Sequence, residues 1–186
     1  MPRQRILYGQ LKQKGMHMTH LIYDLTIASM LRSLKNLDAI VSKAEKYVEA
    51  DQNLDESTLV QARLYPNMRP FIFQIRVATD TAKGAAARLS GNTVPSWPDE
   101  ETTFAEVHER IGKAIKYLSG FKPADFDGAE KRSIEFKLGP NMVKFTGTAY
   151  IADFVLPNFY FHVTTAYDIL RHNGLAIGKR EFLGDT

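Results

Sequence analysis

The clearest pattern in the chain lies between residues 20 and 50. Tyr23, Ile27, Met30, Leu34, Leu37, Val41, Ala44 and Val48 recur at alternating spacings of four and three. Such spacing lines side chains along one face of an α-helix, here about eight turns long. Leu21, Leu25, Ala28 and Leu31 widen the stripe, so this helix is expected to face more than one neighbour. Lys35, Lys43, Lys46 and Glu49 fall on the opposite side. Asn53-Leu54-Asp55 interrupts the pattern, and Asp55 is placed to cap a short helix over 56–64.

After a turn at Tyr65-Pro66-Asn67-Met68, Pro70 suits the first turn of a second long helix. Its stripe is Phe71, Ile75, Ala78, Ala82, Ala85, Ala86 and Leu89. The alanines let helix axes approach closely, which predicts a deeply placed helix. Residues 90–101 contain Gly91, Pro95, Trp97 and Pro98 and read as irregular loop. Thr103-Phe104-Ala105-Glu106 is a capping box opening a third helix to about Leu118, with Phe104, Val107, Ile111, Ala114, Ile115 and Leu118 inward.

Residues 120–130 read as loop. Ile134, Phe136 and Leu138, then Val143 and Phe145, alternate with polar residues around Gly139-Pro140-Asn141. This predicts a β-hairpin whose apolar face covers one end of the helices. A last helix is expected from Thr148, bent near Pro157 and ending at Asn173 with Gly174 as a left-handed cap. The tail 177–186 is expected to be extended. The fold class is therefore all-α, a four-helix bundle with a small hairpin between helices three and four. Residues 1–19 read as an N-terminal arm and 20–186 as a single domain.

Composition adds boundaries. The 186 residues are 44% hydrophobic, enough for a substantial core. Cysteine is absent, which removes disulfides, thiolate metal ligands and thiol nucleophiles, and a cytoplasmic location is expected. No apolar run approaches the length of a membrane-spanning helix, so no membrane partner is expected. The net charge of +3 comes from one place: residues 1–20 carry Arg3, Arg5, Lys12 and Lys14 and no acid, which leaves the remainder at −1. A nucleic-acid binder shows its basic face on the folded body, so no nucleic-acid partner is expected. The arm reads as a leader before Met16 or Met18; a mitochondrial-type presequence and a phosphate-binding arm are the other readings.

Candidate chemistry centres on the last helix. Its inward stripe reads Ile151, Val155, Asn158, His162, Thr165 and Ile169, which stacks three polar side chains on an apolar face. Gln74, between Phe71 and Ala78 on the second helix, is the natural partner. His162 is the candidate general acid or base, with Gln74, Asn158 and Thr165 as ligand-binding residues; a purely structural network that fixes helix register is the competing reading. One histidine with two amides is a poor donor set for a transition metal, so no metal and no cofactor are predicted. The chain also lacks an H-x-x-x-H or H-E-x-x-H pair. His172 reads as a helix C-terminal cap, Asp153 and Asp168 as outward-facing, and Trp97 as a core anchor.

Val60–Leu64 (VQARL), Asp80–Leu89 (DTAKGAAARL), Asp99–Glu106 (DEETTFAE) and Asn158–Gly178 (NFYFHVTTAYDILRHNGLAIG) make the chain resemble an uncharacterised domain-of-unknown-function family. That family is grouped with the DinB/YfiT-like four-helix bundles. The likeness runs from about Leu21 to Gly184. In the wider superfamily three histidines hold a metal, one from the second helix and two from an H-x-x-x-H on the last, and characterised relatives include thiol-dependent transferases and isomerases. Mapped onto this chain, those positions are Gln74, Asn158 and His162, so two of the three ligands are amides and the site is degenerate. Three functions compete. The first is a protein that binds or acts on a small molecule between helices two and four. The second is a non-enzymatic homodimer whose polar cluster is structural. The third is a metal-dependent thiol transferase or isomerase.

Overall fold

A computed structural model describes residues 18–184; the readings made for the basic N-terminal arm lie outside the described residues. Helix α1 begins at Met18–Tyr23, passes through a π-helical turn at Asp24–Ala28 and continues as Ser29–Glu49. The short helix α2 is Glu56–Val60, α3 is Phe71–Ser90 and α4 is Phe104–Ser119. Two 3₁₀ turns, Pro123–Phe126 and Ala129–Lys131, lead into the antiparallel hairpin of β1 (Ser133–Leu138) and β2 (Asn141–Thr146). Helix α5 starts at Gly147–Ala149, widens to a π-helical turn at Tyr150–Val155 and runs on as Leu156–His172. Helix α6, Lys179–Leu183, closes the described chain.

The four long helices form a ring in which α1 and α3 each pack against both α4 and α5. The predicted inward residues of α3 and α4 are buried, apart from a half-buried Ile115. Asp55 caps α2 by accepting from the Ser57 amide at 2.7 Å, although α2 ends at Val60, short of the expected 64. Thr103 and Glu106 cap α4 reciprocally, as expected. In the hairpin, Ile134 pairs with Phe145 and Phe136 with Val143. Gly139 takes φ +58° at the tip, a conformation that glycine adopts without strain. Phe136 and Phe145 meet Tyr150 and Phe154 at ring separations of 5.1–6.3 Å, closing the end of the bundle against α5.

Three features depart from the periodic reading. The first is the π turn in α1. The Thr26 hydroxyl donates to the Ile22 carbonyl at 2.5 Å and Ser29 to the Leu25 and Thr26 carbonyls, a back-bonding that competes with the regular ladder. The extra residue brings Ile22 and Ile27, five apart, to the core face. Tyr23 becomes half-buried, and Leu25, expected to widen the stripe, is 54% exposed.

The second is the π turn in α5, directly before Pro157, whose ring has no N–H and crowds the carbonyl four residues back. It rotates the helix, so that Val155, Phe159, Val163, Ala166 and Leu170 form the buried row with Thr165 and Ile169. Asn158 and His162 move to a half-buried flank. The third is the tail, which contains helix α6 where extended chain was expected. Glu181 accepts from the Gly178 amide at 2.9 Å and from Lys43 at 2.9 Å, while Asn36 holds the Phe182 carbonyl.

Candidate functional site

Helices α3 and α5 run antiparallel, and three polar pairs cross their seam. Near the start of α3, His162 Nδ1 lies 2.7 Å from Gln74 Oε1. Two turns on, Asn158 Nδ2 donates to the Thr81 hydroxyl at 2.7 Å. Two turns further, Arg88 Nη1 donates to the Tyr150 hydroxyl at 3.1 Å, with its guanidinium 4.3 Å above the Phe136 ring. Of the residues singled out in the sequence, Gln74 and His162 therefore meet. Asn158 is tied to Thr81 instead, and Thr165 donates to the Phe161 carbonyl of its own helix at 2.7 Å. Thr81 and Arg88 lie seven and fourteen residues beyond Gln74, the spacing of one helical face, and that period is the signal that could have found them.

The Gln74–His162 pair has a defined polarity. Gln74 Nε2 donates to the Arg69 carbonyl at 2.8 Å, which turns the amide oxygen towards the imidazole. An amide oxygen only accepts, so Nδ1 of His162 carries the hydrogen and donates it. Nε2 is left with its lone pair. It has no hydrogen-bond partner among the described residues, and no fully buried side-chain nitrogen or oxygen among them is left unpartnered, so Nε2 is not fully buried. Burial disfavours the charged imidazolium and lowers the His162 pKa, keeping the ring neutral. Phe161 and Phe73 pack against the imidazole with ring centroids 5.2 and 6.2 Å away. The arrangement presents a neutral, oriented base between two phenyl rings.

Gln74, Asn158 and His162, which the resemblance maps to metal-ligand positions, do not fit a transition metal. Gln74 Oε1 is occupied by the imidazole, the amide nitrogen of Asn158 is turned to Thr81, and a single imidazole nitrogen remains. Among the described residues no three His, Cys, Asp or Glu side chains converge.

A second polar centre escaped the sequence reading. Arg110 is 4% exposed on the inward face of α4. Its Nε donates to the Thr79 hydroxyl at 2.9 Å, and Nη1 donates to the Pro98 carbonyl at 2.9 Å and Glu101 Oε1 at 2.7 Å. Asp80 and Asp99 each lie 3.0 Å from the guanidinium. Arg76 holds the other oxygen of Glu101 at 2.8 Å, and Lys83 pairs with Asp80 at 2.7 Å. Burial pushes the Glu101 carboxyl up, but hydrogen bonds from Arg110, a backbone amide and Arg76 together hold it below the usual carboxylate range. Position 110 follows Val107 by three and precedes Ala114 by four, so it sits on the stripe already recognised.

The remaining candidates lie apart. His172 is exposed in the last turn of α5, Asp153 is exposed and Asp168 half-buried. Trp97 is half-buried and packs on the core beside Tyr117, with the Lys83 ammonium 4.3 Å from its ring. No described helix is long and apolar enough to cross a membrane.

Comparison with known proteins bears on this geometry. No curated protein matches the chain. A solved structure described as a DinB family member protein from Shewanella denitrificans shares 39% identity, covers 93% of this chain and 97% of its own, and superposes with a TM-score of 0.86. Residues 22–183 match the family described as "Domain of unknown function (DUF1993)". With most of its length matched and four long helices carrying a short hairpin, the chain belongs to this DinB-like family of unknown function.

Proposed function

We propose that the protein binds a small molecule at the α3–α5 seam and that His162 accepts a proton or hydrogen bond from it through Nε2. The observation that carries this reading is the relay from the Arg69 carbonyl through the Gln74 amide to Nδ1, which fixes the tautomer and leaves the Nε2 lone pair without a protein partner. A general base needs to be neutral at the working pH and held in orientation, and burial with the Gln74 contact supplies both conditions. Phe73 and Phe161 offer apolar surface for the body of a ligand. Gln74 is a positioning residue in this scheme, and Asn158 and Thr165, expected from the sequence to bind the ligand, are instead engaged by Thr81 and the Phe161 carbonyl and hold the neighbouring turns.

The test is a metabolite panel screened by thermal shift against the parent and His162→Ala. Compounds bearing an acidic N–H or O–H are expected to raise the melting temperature of the parent and leave the variant unmoved. If no compound shifts the parent while His162→Ala loses more than about 1 kcal/mol, the cost of a newly orphaned buried amide, the binding reading fails.

A structural role for the seam is the second reading, favoured by the Asn158–Thr81 and Arg88–Tyr150 pairs, which satisfy each other without a ligand. It predicts that replacing Gln74, Asn158 and His162 together by leucine is tolerated, because a complete polar network can be exchanged for apolar packing. Ligand binding predicts that the same triple variant keeps its fold and loses every ligand shift.

A further inference from the structure

At the far end of α3, a cavity of about 850 Å³ opens between the last turn of α3, the loop before α4 and the second half of α4. Its volume falls within the range of small-molecule sites, roughly 300–1,000 Å³. The apolar walls are aromatic. Trp97 meets Tyr117 edge to face at 6.2 Å, and Tyr117 meets Phe121 at 5.2 Å. These contacts hold the rings in place before any ligand arrives, which reduces the ordering penalty of binding. The charged lining is two lysines and one aspartate. Lys113 and Lys116 line it from successive turns of α4, and Ser90 and Asn92 from the end of α3 and the residues after it.

Lys113 and Lys116 against Asp125 leave this lining with a net charge of +1. Lys113 lies 4.9 Å from the Trp97 ring, and neither it nor Lys116 has a carboxylate partner among the described residues. The one acid on the wall, Asp125, already accepts from the Lys122 amide at 2.7 Å. By contrast, the nearby Lys83 is paired with Asp80 and buried. Two ammonium groups without a carboxylate partner, beside packed aromatic rings, complement a ligand with a flat apolar body and one anionic end. The anion sits against the lysines and the ring stacks on the aromatic wall.

We propose that this cavity is a binding site for a small aromatic carboxylate or comparable planar organic anion. It is separate from the His162 seam: Gln74 and Ser90 are sixteen residues apart on one helix, about 24 Å at 1.5 Å per residue. The two proposals therefore stand or fall independently.

Trp97 is the only tryptophan in the chain, so its indole N–H gives a single reporter at this cavity. The experiment titrates the full-length protein with 2-naphthoate and, separately, with the uncharged 2-naphthamide. The indole N–H resonance is followed by NMR and affinity by calorimetry. Saturable movement of the indole resonance is expected with naphthoate, with naphthamide at least tenfold weaker. Lys113→Ala combined with Lys116→Ala should weaken naphthoate by about tenfold or more, the loss of a charge-assisted contact, and leave naphthamide unchanged. Both lysines are exposed, so the double variant keeps its fold. His162→Ala should leave naphthoate binding as it is. No saturable shift at millimolar naphthoate, equal binding of the amide, or an unaltered double variant would each overturn the proposal.

Discussion

Arg110→Ala tests whether the buried cation holds the bundle together. The Arg110 side chain is 2% exposed and bonds to Thr79, Pro98, Asp80, Asp99 and Glu101. Removing one partner from a buried ion pair costs about 3–5 kcal/mol, because the other charge stays buried. Here the partners differ in what they lose. Asp80 and Asp99 are 41% and 57% exposed, so water replaces much of the guanidinium, and Asp80 keeps Lys83. Glu101 is only 14% exposed but keeps Arg76. Thr79 already donates to two carbonyls of its own helix. The loss therefore belongs near the bottom of the range, about 3 kcal/mol, or a melting temperature lower by about 6–12 °C. Arg110→Lys keeps the charge but loses the planar fork, and should fall about halfway. Urea unfolding followed by circular dichroism measures all three proteins. A loss below about 1 kcal/mol for Arg110→Ala would refute the reasoning, since that is the size of an exposed pair. The variant also predicts a change with pH. A carboxylate with a lowered pKa contributes stability above the ordinary carboxylate range and loses it as pH falls through the folded value. Without Arg110 that acid-side loss should shrink.

Further outcomes follow from other residues. A methyl group on Gly147 would collide with the backbone carbonyl of Ala129, so Gly147→Ala should destabilise by about 1–3 kcal/mol in the same assay; a neutral result would mean that the hairpin exit shifts freely. His162 should titrate below its ordinary value of 6.5 by NMR, so the parent gains stability as pH rises from the folded midpoint to about 6.5, where the unfolded chain alone binds the proton; a raised midpoint would refute the burial of the ring. Elemental analysis of protein purified without added metal should give far less than one equivalent of zinc, nickel or iron, and a stoichiometric value would revive the metalloenzyme reading. Homodimerisation is expected through the first-helix face around exposed Leu25, so light scattering should give twice 21.0 kDa for the parent and the monomer mass for Leu25→Lys; a monomeric parent would end that expectation.

What could be read from the sequence was what local chemistry decides. The stripes of α3 and α4, the Asp55 and Thr103 caps and the hairpin around Gly139 depend on spacing and on side chains a few residues away. The Gln74–His162 contact was legible for a different reason, because each is a polar residue near the apolar face of its own helix. The π turns were not legible. Hydroxyl back-bonding at Thr26 and Ser29, and the ring of Pro157, alter helical phase by one residue, which a fixed period cannot register. Helix α6 depends on Asn36 and Lys43, more than 130 residues earlier in the chain. Arg110 was overlooked because its partners come from two other segments. Those segments, around Asp80 and Asp99–Glu101, are the family-like phrases of the sequence, and the buried arginine is where they meet.

The seam between α3 and α5 shows how phase and chemistry are connected. On α3 the polar residues Gln74, Thr81 and Arg88 are each seven apart, two turns of regular helix. Their partners on α5 are His162, Asn158 and Tyr150, separated by four and then eight residues. Eight residues overshoot two regular turns, and Tyr150 would rotate away from Arg88 if α5 were α-helical throughout. The π turn at Tyr150–Val155 takes up the extra residue and keeps Tyr150 on the seam. The phase shift that defeats the periodic reading is thus what allows three crossings to form. At all three crossings both partners are protein groups bonded to each other, which is what fixing the register requires. The Gln74–His162 crossing adds one feature: the imidazole that Gln74 orients keeps a ring nitrogen with no partner among the described residues. Register alone does not call for that nitrogen, and it is the reason to seek a ligand there.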